Sequence, residues 1–128
     1  MTRPYRVLVT GSRDWDDVTT IGAAIEQALI DAAGRPVLVV HGACPSGADR
    51  HADHYARWLR GKGCQVDVEQ HPANWRMNGK RAGFIRNAHM VNLGADLCLA
   101  FIKDGSRGAS HTAALAEQAG IPVRRHTA

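Results

Sequence analysis

Residues 6–10, RVLVT, form a nearly continuous apolar run that stops at Gly11, and this stretch decides the fold. Residues 36–41 (PVLVVH) and 97–102 (LCLAFI) have the same character. Strands that are buried on both faces of a parallel sheet consist of such runs, whereas half-buried strands alternate apolar and polar side chains. The sequence therefore predicts three central strands of a parallel sheet at these positions.

Two weaker runs have the features of edge strands. Residues 65–70 (QVDVEQ) alternate apolar and polar side chains, and residues 121–125 (IPVRR) contain Pro122, which cannot donate a ladder hydrogen bond. Between the five runs, apolar residues recur at the 3.6-residue spacing of helices. This spacing predicts four helices, with these residues on their core faces: Val18, Ile21, Ile25, Ala28 and Leu29; Ala48, Ala52, Tyr55, Ala56 and Leu59; Phe84, Ile85, Ala88 and Val91; Thr112, Ala113, Ala116 and Ala119.

The strict alternation of strands and helices predicts an α/β fold. We expect residues 1–128 to form a single Rossmann-like, three-layer domain with a five-stranded parallel sheet of order 3-2-1-4-5. In that order the chain reverses direction across the sheet between the first and fourth strands. Ligands of such sheets bind outside the carboxyl ends of the strands at this switch point, which the loops at residues 11–15 and 104–112 would flank.

Composition narrows the function classes. The chain has 128 residues, is 45% hydrophobic and 22% charged, and carries a formal net charge of +4. This mild basic excess suits an anionic ligand but falls short of the basic arms that bind nucleic acid. The three cysteines are scattered, which predicts no disulfide framework, no metal site and a reducing, cytoplasmic location. No signal segment or membrane-spanning run is apparent, so no membrane association is expected.

The strongest chemical signal is the loop at residues 105–112, GSRGASHT, which follows an apolar strand and precedes a helix. Backbone N–H groups at a helix start carry partial positive charge and bind phosphate. We predict that an anion binds to this loop, and that a side chain at Gly108 would obstruct it or require unfavourable backbone angles. The alternative is an ordinary helix start that Ser106 or Ser110 caps.

The end of the first strand supplies a second candidate element. Its sequence, Gly11-Ser12-Arg13, lacks the glycine pattern of dinucleotide-binding proteins and the lysine of a P-loop. Dinucleotide binding also calls for an acidic residue at the end of the second strand, where this chain has His41, so a nicotinamide dehydrogenase is disfavoured. Arg13 either faces an anion or pairs with Asp14 or Asp17.

The loop after the second strand, residues 41–49, has a mainly structural interpretation. Ser46 and Asp49 have the spacing of a capping box at the start of the second helix. Asp49 with His51 and His54 lacks a further ligand for a metal site. Cys44 has no activating base at a recognisable spacing, so a nucleophilic role is disfavoured.

Residues 72–87 form a long segment without apolar periodicity at its start, and such segments tend to be functional. An aromatic ring beside guanidinium groups suits a nucleobase and its phosphate, so Trp75 and the cations of this segment are candidates. In the alternative, Trp75 anchors a lid on the core while Lys80 and Arg81 are solvated.

Four ordered motifs carry a family resemblance that covers about residues 5–125. They are G-S-R-x-W at residue 11, H-G-A-x-x-x-G-A-D at residue 41, P-A-x-W-x-x-x-G-x-x-A-G-x-x-R-N-x-x-M at residue 72 and D-G-S-x-G at residue 104. Together they resemble the YspA-related branch of the SLOG superfamily, named after Smf/DprA and the Lonely Guy proteins. The resemblance implies a Rossmann-like protein that binds nucleotides or nucleotide-derived ligands, and some relatives sense such signals in phage defence.

Lonely Guy relatives release a base from a nucleoside monophosphate and carry P-G-G-x-G-T-x-x-E before the last core helix. On this chain Gly105 and Gly108 match the motif, whereas Ser106 and Ala109 replace a Gly and the Thr. The catalytic Glu falls on Thr112, whose uncharged hydroxyl cannot supply the carboxylate that this chemistry uses. The resemblance therefore implies a phosphate cradle and leaves hydrolysis to another carboxylate, for which these are candidates: Asp14, Asp49, Asp104 and Glu117.

We predict a nucleotide-binding sensor or ligand-binding module without a resident cofactor or metal. Its ligand is a nucleotide-like phosphorylated small molecule, and assembly into a homo-dimer is an open expectation. The alternatives are a phosphoribohydrolase-like enzyme and a DprA-like binder of single-stranded nucleic acid. The predicted ligand-binding residues are Gly11, Ser12, Arg13, His41, Gly42, Asp49, Trp75, Arg86, Asn87, Gly105, Ser106, Arg107, Gly108 and Ser110.

Overall fold

The computed structural model of the chain describes residues 3–128. All strand pairs in its five-stranded sheet are parallel, and the order β3-β2-β1-β4-β5 confirms the predicted fold class and topology. The strands are β1 Tyr5–Gly11, β2 Val37–His41, β3 Val66–Gln70, β4 Leu97–Ile102 and β5 Val123–Thr127. The helices are α1 Val18–Asp31, α2 Gly47–Gly61, α3 Trp75–Asn78, α4 Ala82–Asn92 and α5 Arg107–Gln118, with a 3-10 turn at Gly79–Arg81.

The continuous apolar runs occupy the middle of the sheet, as their composition requires. β1 lies between β2 and β4, with Leu8 beside Val40 on one side and beside Cys98 on the other. Every residue of β4 is buried. The carboxyl ends of β1, β2 and β4 consequently meet at one edge of the sheet.

Two helical layers cover the sheet. On one face, α1 and α2 pack on the larger core cluster, to which Ile25, Ala52 and Phe101 belong. On the other face, α4 and α5 enclose a smaller cluster around Leu8 and Met90. The buried side chains of α2 and α5 are mainly alanines, which leave little space to fill between helix and sheet. A core of this kind needs few large aromatic side chains, and the chain is only 5% aromatic.

The predicted core faces of the helices need correction at four positions. Phe84 and Ile85 are 50% and 46% exposed, because α4 packs on the sheet through these residues instead: Ala82, Met90 and Val91. Val18 and Ala119 are also exposed, since each stands at the end of its helix. β5 begins at Val123 rather than residue 121, after Pro122, whose missing N–H cannot join the ladder.

Two kinds of feature are absent from residues 3–128. None of the helices there is both long and apolar enough to cross a bilayer. Nor does that part of the chain bring three or more His, Cys, Asp or Glu side chains together in a metal-binding arrangement.

Candidate functional site

A cleft of about 440 Å³ opens at the carboxyl edge of the sheet, where the topology places the switch point between β1 and β4. Its volume lies within the usual range of small-molecule sites. Residues from the β1–α1 loop, α2, α3, α4 and the start of α5 line it. The predicted residues among them are Gly11, Ser12, Arg13, Asp49, Trp75, Arg86, Asn87, Ser106 and Gly108.

Ser12 holds the floor of the cleft together. Its N–H donates to the Phe101 carbonyl over 2.9 Å, and its hydroxyl oxygen accepts from the Lys103 N–H over 2.8 Å. These bonds join the β1–α1 loop to the chain that leaves β4. Gly11 permits the same close approach, because a Cβ there would overlap the Ala48 side chain. Both residues therefore build the cleft.

His41 and Gly42 lie outside the lining. The His41 Nδ1 atom accepts from the Ala43 N–H over 2.9 Å, while Nε2 lies 2.7 Å from an Asp53 carboxylate oxygen. Both ring nitrogens of this buried side chain thus have partners within the protein. Gly42 leaves room for Arg86, since a Cβ there would overlap the guanidinium group. Their role is to support the cleft from behind.

The start of α2 differs from the predicted capping box. Ser46 makes no side-chain cap, and its hydroxyl donates instead to the Arg13 carbonyl over 2.9 Å. Asp49 accepts from the Cys44 N–H over 3.3 Å. The capping prediction was wrong because both side chains bond to neighbouring loops rather than to the first turn of their own helix.

Asp49 is a buried carboxyl group in the cleft lining, at 7% exposure. Burial raises its pKa above the ordinary value, although the charge of His41 and the Cys44 N–H act in the opposite direction. Arg86 lowers it through its charge but lies beyond ion-pair distance.

Three cations line the cleft: Arg13, Lys80 and Arg86. Among residues 3–128, none of them has a carboxylate oxygen within 4.0 Å. The predicted alternative, that Arg13 pairs with Asp14 or Asp17, is therefore wrong. Asp17 instead caps α1 by accepting from the Thr20 N–H. The Arg13 guanidinium lies 5.6 Å from the ring centre of Trp75, which is 49% exposed.

Arg86 is held by backbone and side-chain acceptors. Its Nη1 atom donates to the Gly42 carbonyl and to the His71 carbonyl, and its Nε donates to the Asn87 side chain over 2.6 Å. Burial lowers its pKa, yet an arginine remains charged at neutral pH. Asn87 therefore fixes the orientation of a half-buried positive charge at the cleft.

The start of α5 presents free backbone donors to the cleft. No hydrogen-bond acceptor within residues 3–128 faces the amides of Arg107, Gly108 or Ala109, and Ser106 makes no side-chain cap. The alternative of a capped helix start thus fails for Ser106. Gly108 has no left-handed backbone and space around its Cβ position, so the expectation of backbone strain there was wrong.

The other predicted residues of this loop lie beside the cleft rather than in its lining. Gly105 forms the turn before α5 with a φ of +63°, which favours glycine. The Arg107 side chain is exposed. The Ser110 N–H donates to the Ser106 carbonyl within the first turn. Their contribution to the cleft is to shape the helix start.

Only two of the carboxylates proposed for hydrolysis line the cleft, Asp14 and Asp49. Asp104 lies outside it, and Glu117 binds the Arg125 guanidinium over 2.6 Å near the end of α5. Thr112, at the position of the Lonely Guy glutamate, is fully buried, and its hydroxyl donates to the Gly108 carbonyl over 3.0 Å. It has no access to the cleft.

Sequence reasoning left several lining residues out of the predicted site: Val9, Thr10, Asp14, Cys44, Lys80, Gly83, Phe84, Met90 and Ala109. Phe84 was predicted to lie in the core, whereas it stands on the cleft side of α4. Its ring is nearly perpendicular to that of His111, with 5.3 Å between the ring centres. The sequence did indicate residues 72–87 as a candidate ligand-binding segment, because the segment contains several cations. It gave no reason to choose Lys80 over the neighbouring cations.

Comparisons with known proteins agree with the motifs that surround this cleft. The model of the YspA, cpYpsA-related SLOG family matches residues 5–77. Gene 61 protein of Mycobacterium phage D29 is 46% identical over 118 residues, which is 92% of this chain and 93% of that protein. No solved structure matches significantly. Because the family model matches more than half of the chain, from β1 to α3, the chain belongs to the YspA, cpYpsA-related SLOG family.

Proposed function

We propose that the cleft binds a nucleotide or nucleotide-derived phosphorylated ligand, and that the protein acts as a sensor or ligand-binding module. The observation that carries this proposal is a set of three cations in the lining that have no carboxylate partner within the described residues: Arg13, Lys80 and Arg86. The same lining holds the carboxyl groups of Asp14 and Asp49, so the three cations leave an excess of positive charge, which attracts an anion.

The start of α5 supports a phosphate at one end of the cleft. The amides of Gly108 and Ala109 have no acceptor in the part of the chain that the structure describes, and both residues line the cleft. Backbone donors at a helix start favour anions through their partial positive charge. Arg13 stands across the same cleft and adds a full charge, which makes its hydrogen bonds to a phosphate stronger than neutral ones.

Trp75 supports an aromatic base at the rim. Its indole is half exposed, and the Arg13 guanidinium carbon lies over the ring, 5.6 Å from the ring centre. Phe84 offers a second exposed ring in the same lining. Bases stack on such rings with little dependence on sequence, so these residues favour a nucleobase-containing ligand over a simple phosphate ester.

We propose binding without hydrolysis of simple monophosphates such as AMP. Cleavage of an N-glycosidic bond develops positive charge on the ribose, and a nearby carboxylate stabilises it. The family position for that group is Thr112, buried and bonded to its own helix. Multiple turnovers of free base, detected by chromatography and abolished in Asp14→Asn, would contradict this and assign the chemistry to the enzyme alternative.

A cytoplasmic location and a homo-dimer are further parts of the proposal. The cysteines Cys44, Cys64 and Cys98 are all free, which agrees with a reducing compartment. Light scattering of the purified protein measures the assembly state directly. A monomer at every concentration tested would remove the dimer without affecting the ligand proposal.

The binding proposal is tested by calorimetry with nucleoside mono- and diphosphates and with inorganic phosphate. We expect Lys80→Ala to weaken nucleotide binding by about 10- to 100-fold, because a charge-assisted contact contributes about 1.5–3 kcal/mol. Arg50→Ala is the matched control, since Arg50 is an exposed cation outside the cleft that has no ion pair with any of residues 3–128. Binding only to single-stranded DNA, with a steep salt dependence, would favour the nucleic-acid alternative.

A further inference from the structure

The Asp49 carboxylate is a buried lining group that the proposed phosphate and base contacts leave without a ligand partner. It is 7% exposed, and its Oδ2 atom accepts a hydrogen bond from the Cys44 N–H over 3.3 Å. A buried carboxylate without an ion pair is costly, because burial removes its hydration. Such a group at a cleft is typical of a residue that a ligand completes.

Asp49 lies close to the loop that carries Arg13. α2 begins directly against that loop: the Ala48 N–H donates to the Ser12 carbonyl over 3.2 Å, and the Ser46 hydroxyl donates to the Arg13 carbonyl. β2 and β1 are paired neighbours, and paired strands lie about 4.8 Å apart. The first turn of α2, which carries Asp49, therefore lies beside the loop with the proposed anion contact at Arg13.

In dinucleotide-binding folds, an acidic residue at the end of the second strand binds ribose hydroxyls. That place is taken here by His41, whose two ring nitrogens bond to Ala43 and Asp53. Asp49 brings a carboxylate to the same end of β2 from the first turn of α2. The side chain required by the ribose contact is thus present at a different position in the sequence.

We propose that Asp49 selects ribonucleotides, its carboxylate accepting hydrogen bonds from the 2′- and 3′-hydroxyls of the ligand. This inference rests on the proposed nucleotide binding. A carboxylate only accepts hydrogen bonds, and a ribose diol offers two adjacent donors. The aromatic rings of Trp75 and Phe84 are exposed at the rim of the cleft, whereas Asp49 is buried. A base that stacks on these rings would place its ribose deeper in the cleft, nearer the carboxylate.

The test compares ligands that differ only in the sugar. Calorimetry with wild-type protein uses adenosine and guanosine 5′-monophosphates, each against its 2′,3′-dideoxy form. We expect the dideoxy forms to bind at least tenfold more weakly, because the carboxylate would then be covered without receiving a hydrogen bond. Equal affinities would overturn the inference alone, whereas failure of all four ligands to bind would overturn the proposed function as well.

Asp49→Asn separates the contact from a general effect on the cleft. The amide keeps the size of the side chain but loses the charge and one acceptor, so we expect the ribose preference to fall to less than threefold while the variant remains folded by circular dichroism. Asp67→Asn is the control, as Asp67 is an exposed carboxylate on β3 away from the cleft. An undiminished ribose preference in Asp49→Asn would overturn the assignment.

Discussion

The two sides of the cleft are built on different principles. The inner wall, residues 11–14 and 41–49, consists of two segments that bond to each other where the Ala48 N–H donates to the Ser12 carbonyl, and it contains the buried side chains of Ser12 and His41. The outer wall, residues 75–87, consists of a four-residue helix, a 3-10 turn and the start of α4, with Trp75 and Lys80 exposed. The inner wall thus contains buried side chains beside exposed ones such as Arg13, whereas the outer wall is mostly exposed.

This difference separates folding from binding. A change in the inner wall disturbs groups that have no solvent to replace their lost partners, so it affects stability first. A change in the outer wall removes exposed side chains that have few protein contacts, so it affects the ligand first. Arg86 connects the two walls, because it extends from α4 to the Gly42 carbonyl.

The largest expected effect is the loss of stability in Gly47→Ala. Gly47 has a φ of +72°, and a Cβ there would overlap the carbonyl oxygen of Ser12 and the backbone of Arg13. Because backbone atoms on both sides would have to move, we expect unfolding in urea to show a loss of about 4 kcal/mol or no folded protein at all.

Gly105→Ala is the matched control for this prediction. Gly105 has a similar φ of +63° but nothing within 4 Å of its Cβ position. Only the cost of the left-handed backbone remains, about 1 kcal/mol. Equal losses in the two variants would mean that the contact of α2 with the β1–α1 loop is not what makes the inner wall rigid.

The next effect concerns the outer wall and leaves stability nearly unchanged. Trp75 and Trp58 are both about half exposed, and each has a cation near its ring, Arg13 at 5.6 Å and Lys62 at 5.3 Å. Only Trp75 lines the cleft. We expect Trp75→Ala to weaken nucleotide binding by about 1–3 kcal/mol, the usual contribution of base stacking, and Trp58→Ala to leave it unchanged. Calorimetry of both variants decides between a base contact and a merely exposed tryptophan.

The same contrast explains what could be predicted from the sequence. The strand order followed from apolar runs and alternation, because burial on two faces leaves a direct trace in composition. The switch point and its loops followed from the order, and they located Arg13 and Ser106 at the cleft. These inferences depend on the chain path, which local patterns specify well.

The details that failed depend on where individual side chains point. Ser46 and Asp49 have capping-box spacing, yet both bond outside their helix, since neighbouring loops offer partners that sequence spacing does not reveal. Phe84 fits an apolar helical stripe but faces the cleft, because a helix of eleven residues can satisfy the period with more than one face. His41 was predicted to contact the ligand, but its Nε2 atom lies 2.7 Å from the carboxylate of Asp53, a partner twelve residues away that the sequence pattern does not reveal.

The smallest effect is the most discriminating, because stability and binding should change in opposite directions. Gly108 lies in the first turn of α5 with ordinary backbone angles and free space at its Cβ position. Alanine is favoured over glycine in a helix, so Gly108→Ala should raise the free energy of unfolding by about 0.5 kcal/mol and the melting temperature by roughly 2 °C. The added methyl group would nevertheless stand beside the free amides that line the cleft, where a phosphate is proposed to bind. We therefore expect a more stable protein that nucleotides stabilise less, measured by thermal unfolding with and without ligand. A variant that gains stability and retains its full ligand-induced shift would place the phosphate away from α5.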